Sequence, residues 1–476
     1  MSDEKNDIPE KTDEASSARK IGRRDFLQGL ATIPVLGLFG YALQKEIGYK
    51  RAQQDAGAEA EGPVSDASDL NVALLGAGAQ GEVLMTSMLK IPNLRFRAVC
   101  DIWTEFNLQK AVNTLKKYNF DPTGYEDYRE MLDKEKDLDA VVIATPDFWH
   151  AQHAIDCLQA GLNVYCEKEM SNTLDGAQRM VLAARESGKL LQIGHQRRSH
   201  PRYIHCYEHL LKEANLIGRI VTVNGQWNRS RSADLGWPNQ YTIPEARLNK
   251  YGFKSMPQFR NWRWYKGLGG GPIVDLGSHQ IDIYNWFLEA RPEAVIASGG
   301  TDYYSKTTHE WYDTAMVIFE YTTSEGVVRA YYQTQTTNGS QGYFENFMGD
   351  QGTLLVSESQ ATYPGSIYRQ PDAPPWDEWV QKGYISMPKI QMPRPPTEAV
   401  LDVRETISPD EHSIPIDMRD PYHKPHLANF FNAIRGIEEL NCPAEIGYET
   451  AVTVLKVNEA IEAGRRLYYS PEEFEV

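Results

Sequence analysis

Cysteine is scarce: five in 476 residues, at 100, 157, 166, 206 and 442, with no C-x-x-C pair among them. An odd, scattered set excludes a disulfide framework, and Cys100 and Cys166, which sit in apolar strand-like runs, read as buried reduced thiols. Positive charge is also short. There are 49 Lys+Arg against 65 Asp+Glu, a formal net charge of −16. No basic cluster occurs beyond the N-terminal leader, so a nucleic-acid partner is excluded. Long hydrophobic runs are missing too. The longest candidate, near the N-terminus, is about 17 residues, marginal for a membrane span. No internal repeat is visible. The 10 Trp and 26 Tyr suit an ordinary core as well as a sugar-facing cleft. The length allows two or three domains.

The chain is organised around LNVALLGAGAQG, Leu70 to Gly81. An aliphatic strand runs straight into Gly76, Ala77, Gly78, Ala79, Gln80 and Gly81, a G-x-G-x-x-G, and Glu82 to Leu89 reads as a helix. Gly76 permits the tight turn, Gly78 lets backbone approach a pyrophosphate, and Gly81 lets helix and strand pack closely. The helix N-terminus offers its unpaired N–H groups to the phosphates. A second strand, Leu94 to Cys100, ends at Asp101, 25 residues after Gly76. A carboxylate there accepts the ribose hydroxyls of NAD and repels the 2′-phosphate of NADP.

The first 20 residues are polar. Arg23-Arg24-Asp25-Phe26-Leu27 and the apolar stretch to Leu43 look like a twin-arginine export signal. That predicts a periplasmic protein exported folded, anchored in the membrane if the leader is not cleaved. The expected organisation is a signal region at 1–45, a linker at 46–69, a dinucleotide-binding domain at 70–196, and a substrate and oligomerisation domain at 197–476. The last includes an irregular proline-rich arm at 360–420 and closing helices within 425–467.

From 70 to 195 strands and helices alternate, with aliphatic strands near 94–100, 138–144, 162–166 and 190–194. This predicts a parallel sheet covered on both faces, with ligands beyond the carboxyl ends of the strands. After 195, strands follow one another without helices (217–227, 294–303, 314–321, 326–337 and 352–356), which predicts a mainly antiparallel sheet. One helix interrupts, Ile273 to Phe287. The fold class is therefore α/β: a Rossmann domain with a parallel sheet, then an α/β domain with an open, mainly antiparallel sheet.

Two stretches carry chemistry. Cys166-Glu167-Lys168 follows a strand on the cofactor side, where a lysine can stabilise the alkoxide of a hydroxyl being oxidised; a surface lysine in a loop has the same sequence. In GGGPIVDLGSHQID, a helix would put Asp275 and His279 one turn apart on one face. That pair suits a general base near neutral pH, an acid with a structural histidine, or two metal ligands. With no third and fourth ligand in view, no metal is expected.

Taken together, Gly76–Gly81, Ala144-Thr145-Pro146 with His150, Glu167-Lys168, and Gly269-Gly270-Gly271…Asp275…His279 resemble the Gfo/Idh/MocA oxidoreductase family. The resemblance implies NAD as cofactor, with Gly76, Ala77, Gly78, Ala79, Gln80, Gly81, Asp101, Thr145, Pro146, His150, Glu167 and Lys168 as cofactor-binding residues. It implies Lys168, Asp275 and His279 as catalytic residues, and Lys168, Arg197, Asp275 and His279 as substrate-binding ones; for Arg197 a place at the domain junction is the alternative. It also implies a homodimer or homotetramer. Two positions depart from the family pattern: Glu169 replaces its proline and Asp147 its loop asparagine. The function expected is hydride transfer between a tightly held nicotinamide cofactor and a sugar, glycoside or cyclitol hydroxyl. The alternatives are an NAD-dependent glycosidase or lyase that oxidises transiently and eliminates, and a sugar-binding protein without activity.

Overall fold

In the computed structural model, residues 68–359, 363–389 and 409–476 are described. The signal region, nearly all of the linker and residues 360–362 and 390–408 of the arm lie outside them.

Six strands build the first sheet: β1 (Leu70–Leu75), β2 (Leu94–Cys100), β3 (Thr123–Tyr125), β4 (Ala140–Ile143), β5 (Asn163–Cys166) and β6 (Leu191–Ile193). All pair in parallel, in the order β3-β2-β1-β4-β5-β6. The order reverses between β1 and β4, the switch point at which such sheets bind ligands, and the glycine loop opens there. Both faces are buried, which explains the continuous aliphatic runs. Ala73, Leu75, Val141 and Ile143 face one core with Leu158 and Met180. Val72, Leu74 and Val142 face the other with Leu84 and Met88.

That second face is completed by Leu427, Phe430 and Phe431 from the helix Lys424–Ile434. The dinucleotide domain thus includes a helix from the far end of the chain, which a boundary at 196 does not capture. Thr123–Tyr125 form β3, and the YEDYREML stretch becomes helical only after it. Tyr125 pairs with Cys100, and the helix starts later, at Tyr128, because Asp127 caps it by accepting from the Arg129 N–H (3.1 Å).

The second sheet has nine strands: β7 (Ile220–Asn228), β8 (Pro292–Gly300), β9 (Thr314–Thr323), β10 (Gly326–Gln335), β11 (Tyr343–Gly349), β12 (Gly352–Val356), β13 (Ser366–Arg369), β14 (Asp410–Ser413) and β15 (Leu467–Tyr468). Their order is β14-β13-β12-β11-β7-β10-β9-β8-β15, antiparallel except for the parallel pair β7–β10. Register aligns Val295, Phe319, Ala330, Val223, Phe347, Leu354 and Ile367 across seven strands, all buried. The helices Gly277–Leu288 and Ala444–Ala463 contribute Ile281, Tyr284, Val454 and Val457 to the same core. On the opposite face Ile296, Met316, Ile318 and Val327 are exposed. β13 and β14 place part of the expected irregular arm in the sheet. All five cysteines are buried and unpaired.

Candidate active site

The glycine loop is shaped by close backbone contacts. Gly76 has φ +92°, and a Cβ there would come within 2.7–2.8 Å of the Ala144 and Thr145 backbone. A Cβ on Gly81 would stand 2.0 Å from the Gly76 oxygen. Above Gly78 the space is open, its nearest neighbour being Asn107 at 3.8 Å. Gly78 is also the N-cap of the helix Ala79–Met88 and supplies no side-chain acceptor to its first turn. Open space over donors that no side chain caps is what a pyrophosphate requires.

Asp101 ends β2 beside this loop. One carboxylate oxygen accepts the Ala77 N–H (2.8 Å), the other the Trp103 N–H (2.7 Å). Burial raises its pKa against those donors. Trp103, fully buried, donates its indole N–H to the Tyr241 carbonyl (2.6 Å). It packs in a cluster with Ile243, Leu248, Phe253 and Met256, so a stretch of the second domain covers the end of β2.

Thr145 and Pro146 lead into the helix Asp147–Gln159. His150 does not face a ligand: its ring nitrogens lie 2.6 Å from the Thr145 carbonyl and 2.7 Å from the Glu169 carbonyl, bracing two loops. Burial carries its pKa down to about 4 against the pull of both carbonyls. Glu167 is buried at the end of β5 and accepts from Gln80 (3.2 Å) and from the Lys168 N–H (3.3 Å). Its pKa rises to about 7 through burial, with Lys168 opposing.

Lys168 is the hub. Its Nζ donates to the Asp275 carbonyl oxygen (2.5 Å) and stands 3.4 Å from Asp275 Oδ1, with both side chains largely buried. Arg263 Nε donates to the same Oδ1 (3.1 Å). Burial alone would raise the Asp275 pKa; the Arg263 and Lys168 charges override it and hold the carboxylate well below its usual range.

The single helix expected over 273–287 is two, Pro272–Asp275 and Gly277–Leu288, broken at Leu276. At the break Gly277 lies against the Tyr332 ring, which a Cβ would meet at 3.0 Å. Asp275 therefore does not pair with His279 across a helical turn. His279 instead sits beside the Trp227 ring (5.3 Å between centroids) and edge-on to His195 (6.4 Å). Its Nδ1 is buried without a partner among the described residues. Burial, then the Lys168 and Arg197 charges, drive its pKa far below the ordinary histidine value, so the ring is neutral near pH 7.

Two family profiles match the chain and together span more than half of it: "Oxidoreductase family, NAD-binding Rossmann fold" over residues 70–195 and "GFO/IDH/MocA C-terminal domain" over 210–355. The chain belongs to the Gfo/Idh/MocA oxidoreductase family. It is similar to a levoglucosan dehydrogenase of Pseudarthrobacter phenanthrenivorans (25% identical over 250 residues, 49% of this chain and 58% of that one). It is also similar to an inositol 2-dehydrogenase of Rubrobacter xylanophilus (25% over 297 residues, 61% and 72%). The chain thus aligns with little more than half of the first relative's length. Among solved structures, a levoglucosan dehydrogenase in complex with NADH superposes with a TM-score of 0.63 (17% identity, 84% of this chain and 99% of that one). An aldose–aldose oxidoreductase from Caulobacter crescentus, complexed with glycerol, gives 0.61 (17%, 84% and 100%). At these identities the superpositions establish the shared fold.

The first domain of this Gfo/Idh/MocA protein is an NAD-binding one, and its loop fits the cofactor: open space above Gly78, Asp101 beside the loop, Glu167 and Lys168 at the ends of the strands. Arg197 holds the domain junction, the alternative left open for it, and its Nε and Nη2 have no hydrogen-bond partner among the described residues. Its side chain is 1% exposed, it is hydrogen-bonded to Glu345, and it lies 3.8 Å from Glu358, joining the domains beneath the second sheet. Both departures from the family pattern are buried acids. Asp147 keeps Oδ2 unpartnered, and burial raises its pKa to about 7. Glu169 accepts the Met170 N–H (2.8 Å), keeps Oε2 unpartnered, and burial raises its pKa to about 8; the peptide before it is cis. Three side chains near the site carried no sequence signal: Arg263; His195, with both ring nitrogens unpartnered; and His423, 3.0 Å from Gln80. Each enters from a stretch with no motif of its own.

Proposed function

We propose that this protein oxidises a sugar, glycoside or cyclitol hydroxyl with NAD. The observation that carries this is the Lys168–Asp275 contact beside a neutral His279. Lys168 has three donors, of which two point to Asp275, so one remains for a substrate oxygen. A fixed ammonium at that oxygen stabilises the alkoxide as it forms. His279, neutral, accepts the hydroxyl proton; base catalysis of this kind contributes about 10²–10⁴-fold. Asp275, kept ionised by Arg263 and Lys168, positions Lys168 rather than His279. Bound NAD supplies the acceptor for the hydrogen that leaves the carbon with its electron pair. The relatives named for levoglucosan and inositol support a polyhydroxylated ring as substrate.

The cofactor is held tightly and recycled on the enzyme by successive sugars, a reading that follows from the twin-arginine leader, because an exported enzyme has no free NAD pool to draw on. The twin-arginine leader supports export of the folded protein through the matching machinery to the periplasm; cell fractionation and N-terminal sequencing of the mature chain test it. The exposed Ile296, Met316, Ile318 and Val327 on the open sheet face support a dimer or tetramer, which sedimentation measures.

One observation favours a second reading, oxidation followed by elimination of a glycosidic bond. Asp147 offers a carboxyl that titrates near pH 7, and the charges acting on it include Arg263, Asp275 and Lys168. Of Tyr203, Tyr265 and His150, which could also supply the base that elimination needs, Tyr203 is committed to Glu345 and His150 to two carbonyls. Product analysis with glycosides separates the two: a keto-glycoside supports dehydrogenation, a cleaved bond with no net reduction supports elimination.

A further inference from the structure

Asp275 also lines a second cleft, whose walls do not include Lys168 or His279. It holds about 520 Å³ of empty space, open mouth included, between the end of β7 and the stretch before β9. Its acids are committed. Asp275 is neutralised by Lys168 and Arg263, and Asp313 accepts the N–H groups of Tyr303 (2.7 Å) and Tyr304 (3.1 Å).

Of its two arginines, Arg263 is paired with Asp275 and Arg229 is in no ion pair among the described residues. Arg229 is exposed, lies over the Trp227 ring (5.2 Å) and has no carboxylate within ion-pair reach among the described residues. Arg263 spends its Nε on Asp275, stands over Trp262 (4.2 Å) and is half exposed. His309 spends Nδ1 on the Thr308 hydroxyl (3.0 Å) and has one ring nitrogen left. It is 9% exposed and stacked between Trp264 (4.0 Å) and Tyr304 (4.1 Å), with Nε2 unpartnered among the described residues. Trp264 and Trp311 give the cleft aromatic walls.

An unpaired guanidinium such as that of Arg229 matches a planar or tetrahedral anion, because its fork donates two parallel hydrogen bonds. Aromatic walls with a few placed polar groups match the apolar face of a sugar ring. We propose that this cleft is a second sugar subsite, which binds a ring carrying a carboxylate or sulfate next to the ring that is oxidised. The substrate is then an acidic glycoside rather than a free neutral sugar. Arg229 takes the anion, and Trp264 and Trp311 take the ring. This deepens the dehydrogenase reading and rests on it for the position of the reacting ring.

The test is isothermal titration calorimetry on the full-length protein with saturating NAD. The probes are sets of disaccharides alike but for one group: cellobiose, its uronic-acid form and its 6-sulfate, and the corresponding galactose-based set. In at least one set the acidic member binds about ten- to a hundredfold more tightly than the neutral one, the value of a charged hydrogen bond. The preference shrinks with added salt. The carboxylate and sulfate arms identify which anion is taken. Arg229→Gln abolishes the preference and Arg229→Lys keeps part of it. Equal binding across every set, or a preference that survives in Arg229→Gln, overturns the proposal. Following nicotinamide reduction in the same samples separates the two ideas. Arg229-dependent binding without reduction leaves the subsite and removes the dehydrogenase. Reduction by neutral sugars with no acidic preference does the reverse.

Discussion

Lys168 and Asp275, 107 positions apart, meet at two atoms: the lysine ammonium lies 2.5 Å from the aspartate carbonyl and 3.4 Å from its Oδ1. One comes from a loop of the dinucleotide domain and the other from the domain carrying the open sheet, so the contact fixes the ammonium at the junction of the two. Asp275→Asn keeps the carbonyl contact and removes the charge. Expected is a fall in kcat/KM of about a hundredfold, the scale of a misplaced catalytic group, with bound nucleotide unchanged when released and weighed by mass spectrometry.

His279 gives a separate signature. Its pKa lies far below the ordinary histidine value, and a base is active above its pKa. The acid limb of the wild-type rate profile that belongs to it therefore falls below the usual histidine range. His279→Gln is expected to lower kcat by about 10²–10⁴-fold and to remove that limb. Measuring kcat against pH in both proteins checks this.

Glu169 predicts a pH effect on stability. Its folded pKa is raised to about 8, whereas an unfolded glutamate titrates near about 4.3. The folded state thus binds the proton more strongly. The resulting stabilisation is fully present below the unfolded value and is lost as pH rises through about 8. Glu167 and Asp147, each raised to about 7, act in the same direction. Glu169→Gln keeps a neutral acceptor for the Met170 N–H. It is expected to match wild type in Tm near pH 4, to exceed it increasingly as pH rises toward about 8, and to keep a constant lead above that, by scanning calorimetry.

How far the sequence reaches depends on whether the cause is local. The glycine loop, Asp101 and Lys168 are legible because each follows a strand directly, and chain order alone puts them at the carboxyl edge of the sheet. The break at Leu276 is not, since the apolar spacing continues through it, and the Tyr332 ring packed against Gly277 is 55 positions away in the chain. β11 escapes notice because it buries Glu345 beside Phe347, an arrangement stable only with Arg197 opposite. For the same reason the sequence leaves Arg197 open between a substrate contact and the domain junction, and its pairing with Glu345 is visible only in the fold. Helix Lys424–Ile434 has the pattern of a closing helix, but nothing local says that its Phe430 and Phe431 fill the first domain.

Arg197→Met would leave Glu345 charged and without its guanidinium in the core. The expected cost is about 3–5 kcal/mol, read as a lowered midpoint in urea. Loss of turnover without loss of stability would place Arg197 back at the substrate.

Asp101→Ser removes the carboxylate that accepts the Ala77 N–H beside the glycine loop. Weaker retention of NAD and measurable use of NADP are expected, by titration of nucleotide-free protein with each.

The central claim is that a sugar hydroxyl is oxidised by a cofactor that stays on the enzyme. The direct measurement denatures the purified folded protein to identify released nucleotide by mass, then follows nicotinamide absorbance in native protein on adding glycosides and inositols. The account predicts bound NAD, reduced once per active site and reoxidised by a keto-sugar. Absence of nucleotide with no reduction by any sugar, even with NAD supplied, would contradict it.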